Sequence, residues 1–144
     1  MANVIPDSFK TDLLKGTFNF DSSGGSTFKL ALYTDISGLT TSTTAFTTTN
    51  EVSTSGTSYS SGGNTLTNNG VSISSNIAFV DFADLTFSSV TLAAVGALIY
   101  KCGGSNEAVL VLDFGGTKTA TNGDFVVQFP TASSSAAIIR LGNA

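Results

Sequence analysis

Histidine and tryptophan are absent from this sequence of 144 residues, and cysteine occurs once. Without histidine, the commonest general base and the commonest metal ligand are missing. A lone Cys102 excludes an intrachain disulfide and, with no histidine, a zinc site within one chain. It sits beside Gly103-Gly104 and reads as a small residue in a turn. Charged residues make up only 11%, against roughly 25% in ordinary soluble domains. The net charge is −4, and the six cations Lys10, Lys15, Lys29, Lys101, Lys118 and Arg140 are scattered. No basic patch is available to neutralise phosphates, so nucleic acid is not an expected partner. The longest apolar run is about nine residues, far short of the roughly twenty that a membrane-spanning helix needs. No membrane partner is therefore expected. The opening MANVIPDSFK lacks a cationic start followed by an apolar core, so no secretory leader is expected. No Asn-x-Ser/Thr sequon occurs.

Against these scarcities stand 41% apolar residues and a serine-plus-threonine share of roughly 28%, well above usual composition. A polar but weakly charged surface suits a protein packed among neighbours, and equally a secreted or displayed β-domain. The organising stretch is Val90–Gly116. Two apolar runs, Leu92–Tyr100 and Ala108–Leu112, flank the polar link Lys101–Glu107. Neither run alternates, so each is expected to be buried on both faces of a long antiparallel hairpin. Gly96 with Ala93, Ala94 and Ala97 suggests a close approach by another sheet or subunit.

In chain order, Pro6–Gly16 reads as one short helix opened by Pro6 or Asp7 and closed by Gly16. Phe9, Leu13 and Leu14 form its apolar stripe, which must dock on the chain's own core or on a neighbouring subunit. Thr17–Asp21 reads as a short extended piece, and Asp21–Gly25 as a solvated turn, not a calcium loop. Thr27–Tyr33 alternates as a half-exposed strand. Asp35–Asn76 is rich in Thr, Ser, Gly and Asn, with Glu51 its only internal charge. Within it Thr47–Thr54 is a candidate strand, and Asn68-Asn69-Gly70 predicts a hairpin between Thr65–Thr67 and Val71–Ser75. Asn76–Phe87 reads as a strand and a bend. Asn122-Gly123 predicts a second hairpin, between Thr117–Thr121 and Phe125–Phe129, which Pro130 ends. Ala136–Leu141 is the last strand. The expected fold is all-β: one antiparallel β-sandwich domain over 1–144, jelly-roll-like, with about nine strands at short spacing. Residues 1–20 form an N-terminal arm carrying the helix, and residues 35–76 form hydroxyl-rich loops and short strands.

Catalytic machinery is not expected. No G-x-S-x-G occurs, and Gly115-Gly116-Thr117-Lys118-Thr119 only ends like a phosphate-binding loop. A glycosidase pair would have to come from Asp81, Asp84, Asp113, Asp124, Glu51 and Glu107. Asp81 and Asp84 face opposite sides of a continuous strand, while Asp113 and Asp124 sit beside glycines as turn caps do. No cofactor or metal is implied. Among aromatic residues, Tyr33, Tyr59 and Tyr100 alone combine a ring with a polar handle for a carbohydrate platform.

Nine pieces resemble a family of small virion structural proteins of tailed bacteriophages. They are SFKTDLLKG (Ser8–Gly16), TFKLALYT (Thr27–Thr34), TTNEVS (Thr48–Ser53), GGNTLT (Gly62–Thr67), VDFADLTF (Val80–Phe87), GALIY (Gly96–Tyr100), AVLVLDFGG (Ala108–Gly116), GDFVVQFP (Gly123–Pro130) and AIIRL (Ala137–Leu141). The resemblance carries no catalytic residue. It implies a virion location after assembly in the host bacterial cytoplasm, with the major capsid protein or other virion proteins as partners. A capsid decoration or cement protein is the favoured role, and a homo-oligomer, guessed as a trimer, the expected state. A tail, collar or fibre-associated component, or a receptor- or glycan-binding module, are the alternatives. Phe9, Leu13 and Leu14 are the expected subunit interface.

Overall fold

A hairpin of two long strands, β5 (Leu85–Lys101) and β6 (Ala108–Val127), runs through the middle of the chain as the apolar runs foretell. The structure is a computed structural model that describes residues 3–143. Before the hairpin come α1 (Asp7–Leu14), β1 (Phe28–Tyr33), β2 (Asn64–Thr65), β3 (Asn68–Ser74) and β4 (Ile77–Phe82), and after it β7 (Ile139–Leu141). The strands form two antiparallel sheets, ordered β2-β1-β5-β6 and β3-β4-β7, so the chain is an all-β, sandwich-like fold with one short helix. The strands number seven among the described residues, not nine, because β6 runs unbroken where breaks are expected and Thr47–Thr54 forms no strand.

Neither Asn-Gly signal makes the expected hairpin turn. Asn68-Asn69-Gly70 does not reverse the chain. It forms a β-bulge inside the β3–β4 ladder, with Gly70 at φ 95°. Asn122-Gly123 likewise falls at an irregularity within β6, Asn122 taking φ 46°. A bulge and a tight turn require the same left-handed backbone, which Asn and Gly supply in either setting. The actual β3–β4 turn is Ser75-Asn76, both with positive φ (51° and 65°), as a two-residue hairpin turn demands.

The main core lies between the sheets. Leu30 and Leu32 of β1, Val80 and Phe82 of β4, Phe87 and Ile99 of β5, and Val109 and Phe125 of β6 belong to it. A train of rings leads into it. Phe20 stacks on Phe28 with centroids 4.7 Å apart, Phe28 meets Phe82 at 5.6 Å, and Phe9 meets Phe18 at 4.9 Å. Residues 17–21 are therefore not a strand. They are irregular backbone that inserts Phe18 and Phe20 into the core.

β1 is not half-exposed. Its second face, Ala31 and Tyr33, is fully buried beneath Ile36, Leu39 and Phe46 from the hydroxyl-rich segment. That segment forms no strand over Thr47–Thr54. It contributes single bridges, Ala45 to Glu107 and Glu51 to Tyr33. Sparse apolar anchors on a Thr/Ser chain thus do the work of a third layer. Gly96 is explained by the same layer: a Cβ there would collide with the Leu112 carbonyl and lie 2.7 Å from Ile36 Cγ2. The close neighbour is the chain's own Ile36, and Ala93 points to solvent.

Candidate functional site

The three-stranded sheet supplies the most exposed apolar surface. Register places Val71, Val80 and Ile139 in one cross-strand row and Ile73, Ala78 and Leu141 in the next. Side chains alternate along each strand, so both rows lie on one face. Val80 and Ile139 are covered by the core, but Val71, Ile73 and Leu141 are 51%, 74% and 61% exposed. Val71 and Ile73 lie on the edge strand β3 and Leu141 on the edge strand β7, so the apolar face overhangs the core at its margins. A shallow groove of about 140 Å³ runs along it, lined by Leu13, Phe20, Val71, Ala78 and Leu141 among others. Two larger hollows, of about 350 and 360 Å³, lie along β6, one bordered by Phe114, Lys118 and Asp124 and the other by Ile5, Leu112 and Ile138.

The predicted interface stripe is divided by the fold. Phe9 is buried in the chain's own core, Leu13 packs partly against that core, and Leu14 is 85% exposed. Helix α1 therefore docks on its own body through Phe9 and leaves Leu14 free to touch something else.

The carboxylates are dispersed, and the hydrogen bonds of most go to the framework. Asp81 accepts from Asn69 Nδ2 at 2.9 Å, Asp84 from the Phe129 amide at 2.8 Å, and Asp113 from the Gly115 amide at 2.9 Å. Asp124 accepts from the amide of Ser89, a residue at φ 53°. Glu107 Oε2 is buried with no hydrogen-bond partner among the described residues. Asp35, capping the Ser37 amide at 2.8 Å, is held below the usual carboxylate range by that bond. Among the described residues, no three of His, Cys, Asp and Glu gather where a metal could sit.

Glu51 is the polar node that reading the sequence passed over. Its Oε1 accepts from Tyr59 Oη at 2.8 Å and from the Gly62 amide at 2.6 Å, and its Oε2 accepts from Ser61 Oγ at 2.8 Å. Tyr59 Oη in turn accepts from the Leu32 amide at 3.0 Å, tying the loop to β1. The tyrosines form no surface platform. Tyr33, Tyr59 and Tyr100 are all buried, and Tyr33 and Tyr100 donate to the Thr47 and Gly62 carbonyls at 2.6 and 2.7 Å. Burial pushes all three phenols up, Tyr100 to about 12. Glu51 as the one charge in a long hydroxyl-rich run was the available signal. An isolated carboxylate among donors is well placed to organise them.

Cys102 is exposed, as a turn residue should be. Among the described residues, no helix is long and apolar enough to cross a membrane. Comparisons with protein-family models, curated proteins and solved structures find no match to the chain.

Proposed function

We propose that this chain is a virion structural protein of a tailed bacteriophage, and that its role is to decorate and cement the capsid at junctions between capsomers. Three features support the reading. Nine segments in order along the chain resemble the virion family. Asp81, Asp84, Asp113 and Asp124 each accept a framework hydrogen bond, and so does Glu51, so these candidate acids are employed in holding loops and bulges. The surface offers contact without charge: an apolar sheet overhang, Leu14, and hydroxyl-rich loops.

The observation that carries most weight is the overhang. An apolar face left outside the core costs solubility, and exposed patches of this kind mark contact sites. Contacts of modest strength, repeated over a symmetric shell, sum to firm attachment.

Particle composition tests the reading. Quantitative mass spectrometry of purified virions is expected to find the chain at a copy number on the order of the capsid protein's, as a decoration requires. A copy number of the order of tens places it in the tail or collar instead. Its absence from washed particles defeats the proposal.

A further inference from the structure

Among the described residues four strands lie at sheet edges, and three of them are blunted. β2 has two residues, and β7 has three and carries Arg140. β6 is covered at its start by the N-terminal segment, through bonds of 2.9 and 2.8 Å between Val4 and Val111. Farther along it carries Lys118, Asp124 and the irregularity at Asn122. Short length, charge and bulges are the usual protections of an edge.

β3 has its bulge and, at its start, residues 20–22 lying against Asn68 and Gly70, but its second half has none of these. From Val71 to Ser74 it runs in regular register with β4, every residue exposed, with no charge and no proline. The turn decides which groups face outward. The pair that closes a two-residue turn, here Ser74 with Ile77, is a hydrogen-bonded pair, and bonding alternates from there. Ser72 and Ser74 therefore spend their amides and carbonyls on β4, while Val71 and Ile73 turn theirs away from the sheet. About Ser72 the edge reads alike in both directions: β-branched residue, serine, β-branched residue.

We propose that β3 pairs antiparallel with β3 of a second copy of this chain, about a twofold axis at Ser72. Val71 of one copy then stands opposite Ile73 of the other. The outward backbone groups of both residues are satisfied in bonded pairs, and β-branched side chains meet on one face. No like charges meet, since Asp81 and Arg140 project from the opposite face. The two three-stranded sheets become one of six strands, with a continuous apolar face. A foreign strand would satisfy the same backbone groups, but the self-matching, uncharged pattern favours an identical one. The edge covers less than the roughly 800 Å² per partner of a standard interface, so the dimer is reversible and fills with concentration. The inference is independent of the virion reading.

Sedimentation equilibrium of the full chain over a concentration series is expected to show monomer and dimer. Ile73→Lys and Val71→Glu should each weaken the dimer by about tenfold or more, with circular dichroism unchanged. An equimolar mixture of the two variants should regain a heterodimer, because the register sets the new charges opposite each other. In the unmodified chain, the Val71 and Ile73 amides should exchange hydrogen more slowly as concentration rises. Leu14→Ser should leave the dimer intact. The proposal is overturned by a strict monomer, by association indifferent to Ile73→Lys, by a mixture that stays monomeric while both variants are folded, or by edge amides whose exchange ignores concentration. Strand addition by another protein, with no self-association, also overturns it.

Discussion

At the scale of single residues, Glu51 shows how much one charge can organise. Its carboxylate fastens Tyr59, Ser61 and the Gly62 amide, and through Tyr59 it reaches β1. Glu51→Gln keeps the shape but weakens charge-assisted bonds and puts a donor where acceptors are needed. A loss of about 1–3 kcal/mol is expected, read as a lower urea midpoint at unchanged slope. The tyrosines make a prediction in pH. Each is buried as a neutral phenol with its pKa raised, so the folded chain holds the proton more tightly than the unfolded chain does. Their contribution is complete below the ordinary value of about 10. It falls as pH climbs from there through about 12, the value for Tyr100. Alkaline titration should show phenolate absorbance rising together with loss of circular dichroism, and Tyr100→Phe should move the onset upward. Phenolate appearing at about pH 10 in a still-folded chain would contradict this.

At the scale of elements, the instructive residues are Asn68-Asn69-Gly70 and Asn122-Gly123. Their sequence specifies a left-handed backbone, and that is what forms at Gly70 and Asn122. It does not specify whether the chain reverses there or bulges, because that depends on which strand lies alongside. Ser75-Asn76, with weaker turn chemistry, makes the reversal because β4 is there to pair with β3. Replacing it by Asn-Gly relieves a non-glycine at positive φ and should raise stability by about 0.5–1 kcal/mol. Asn122→Ala should lower it by about 1–2 kcal/mol, the cost of holding an ordinary side chain in the left-handed region. Thermal unfolding of both variants checks the pair. The helix was legible to within a residue or two, since Pro6 and Gly16 punctuate it. The strand expected at Thr47–Thr54 was not, because its residues bury Val52 without forming a ladder.

At the scale of the whole molecule, helix α1 has two destinations. Phe9→Ala empties a site among Phe18, Phe20 and the core, and should cost about 3–5 kcal/mol. Leu14→Ser removes an exposed side chain and should change stability by no more than about 0.5 kcal/mol. If the chain decorates capsids, Leu14→Ser should weaken co-sedimentation with particles, while Phe9→Ala should fail earlier, at folding. A Leu14→Ser chain that binds particles as well as the parent would free the helix of any part in attachment.

Composition and apolar pattern were enough to establish an all-β chain built on the β5–β6 hairpin, with a short N-terminal helix, because alternation, run length and punctuation are properties of neighbouring residues. The same local information left open which left-handed positions bulge and which reverse. It also left open that a Thr/Ser segment seals the second face of β1, and that β3 ends at an unguarded edge. Those outcomes were decided by partners brought from distant parts of the chain. Burial of Tyr33 needs Phe46, Leu98 and Val111 gathered around it, and Ile73 is left at the margin because β3 has a neighbouring strand on one side alone. Residues far apart in sequence settle such matters by occupying space, which no stretch read in isolation contains.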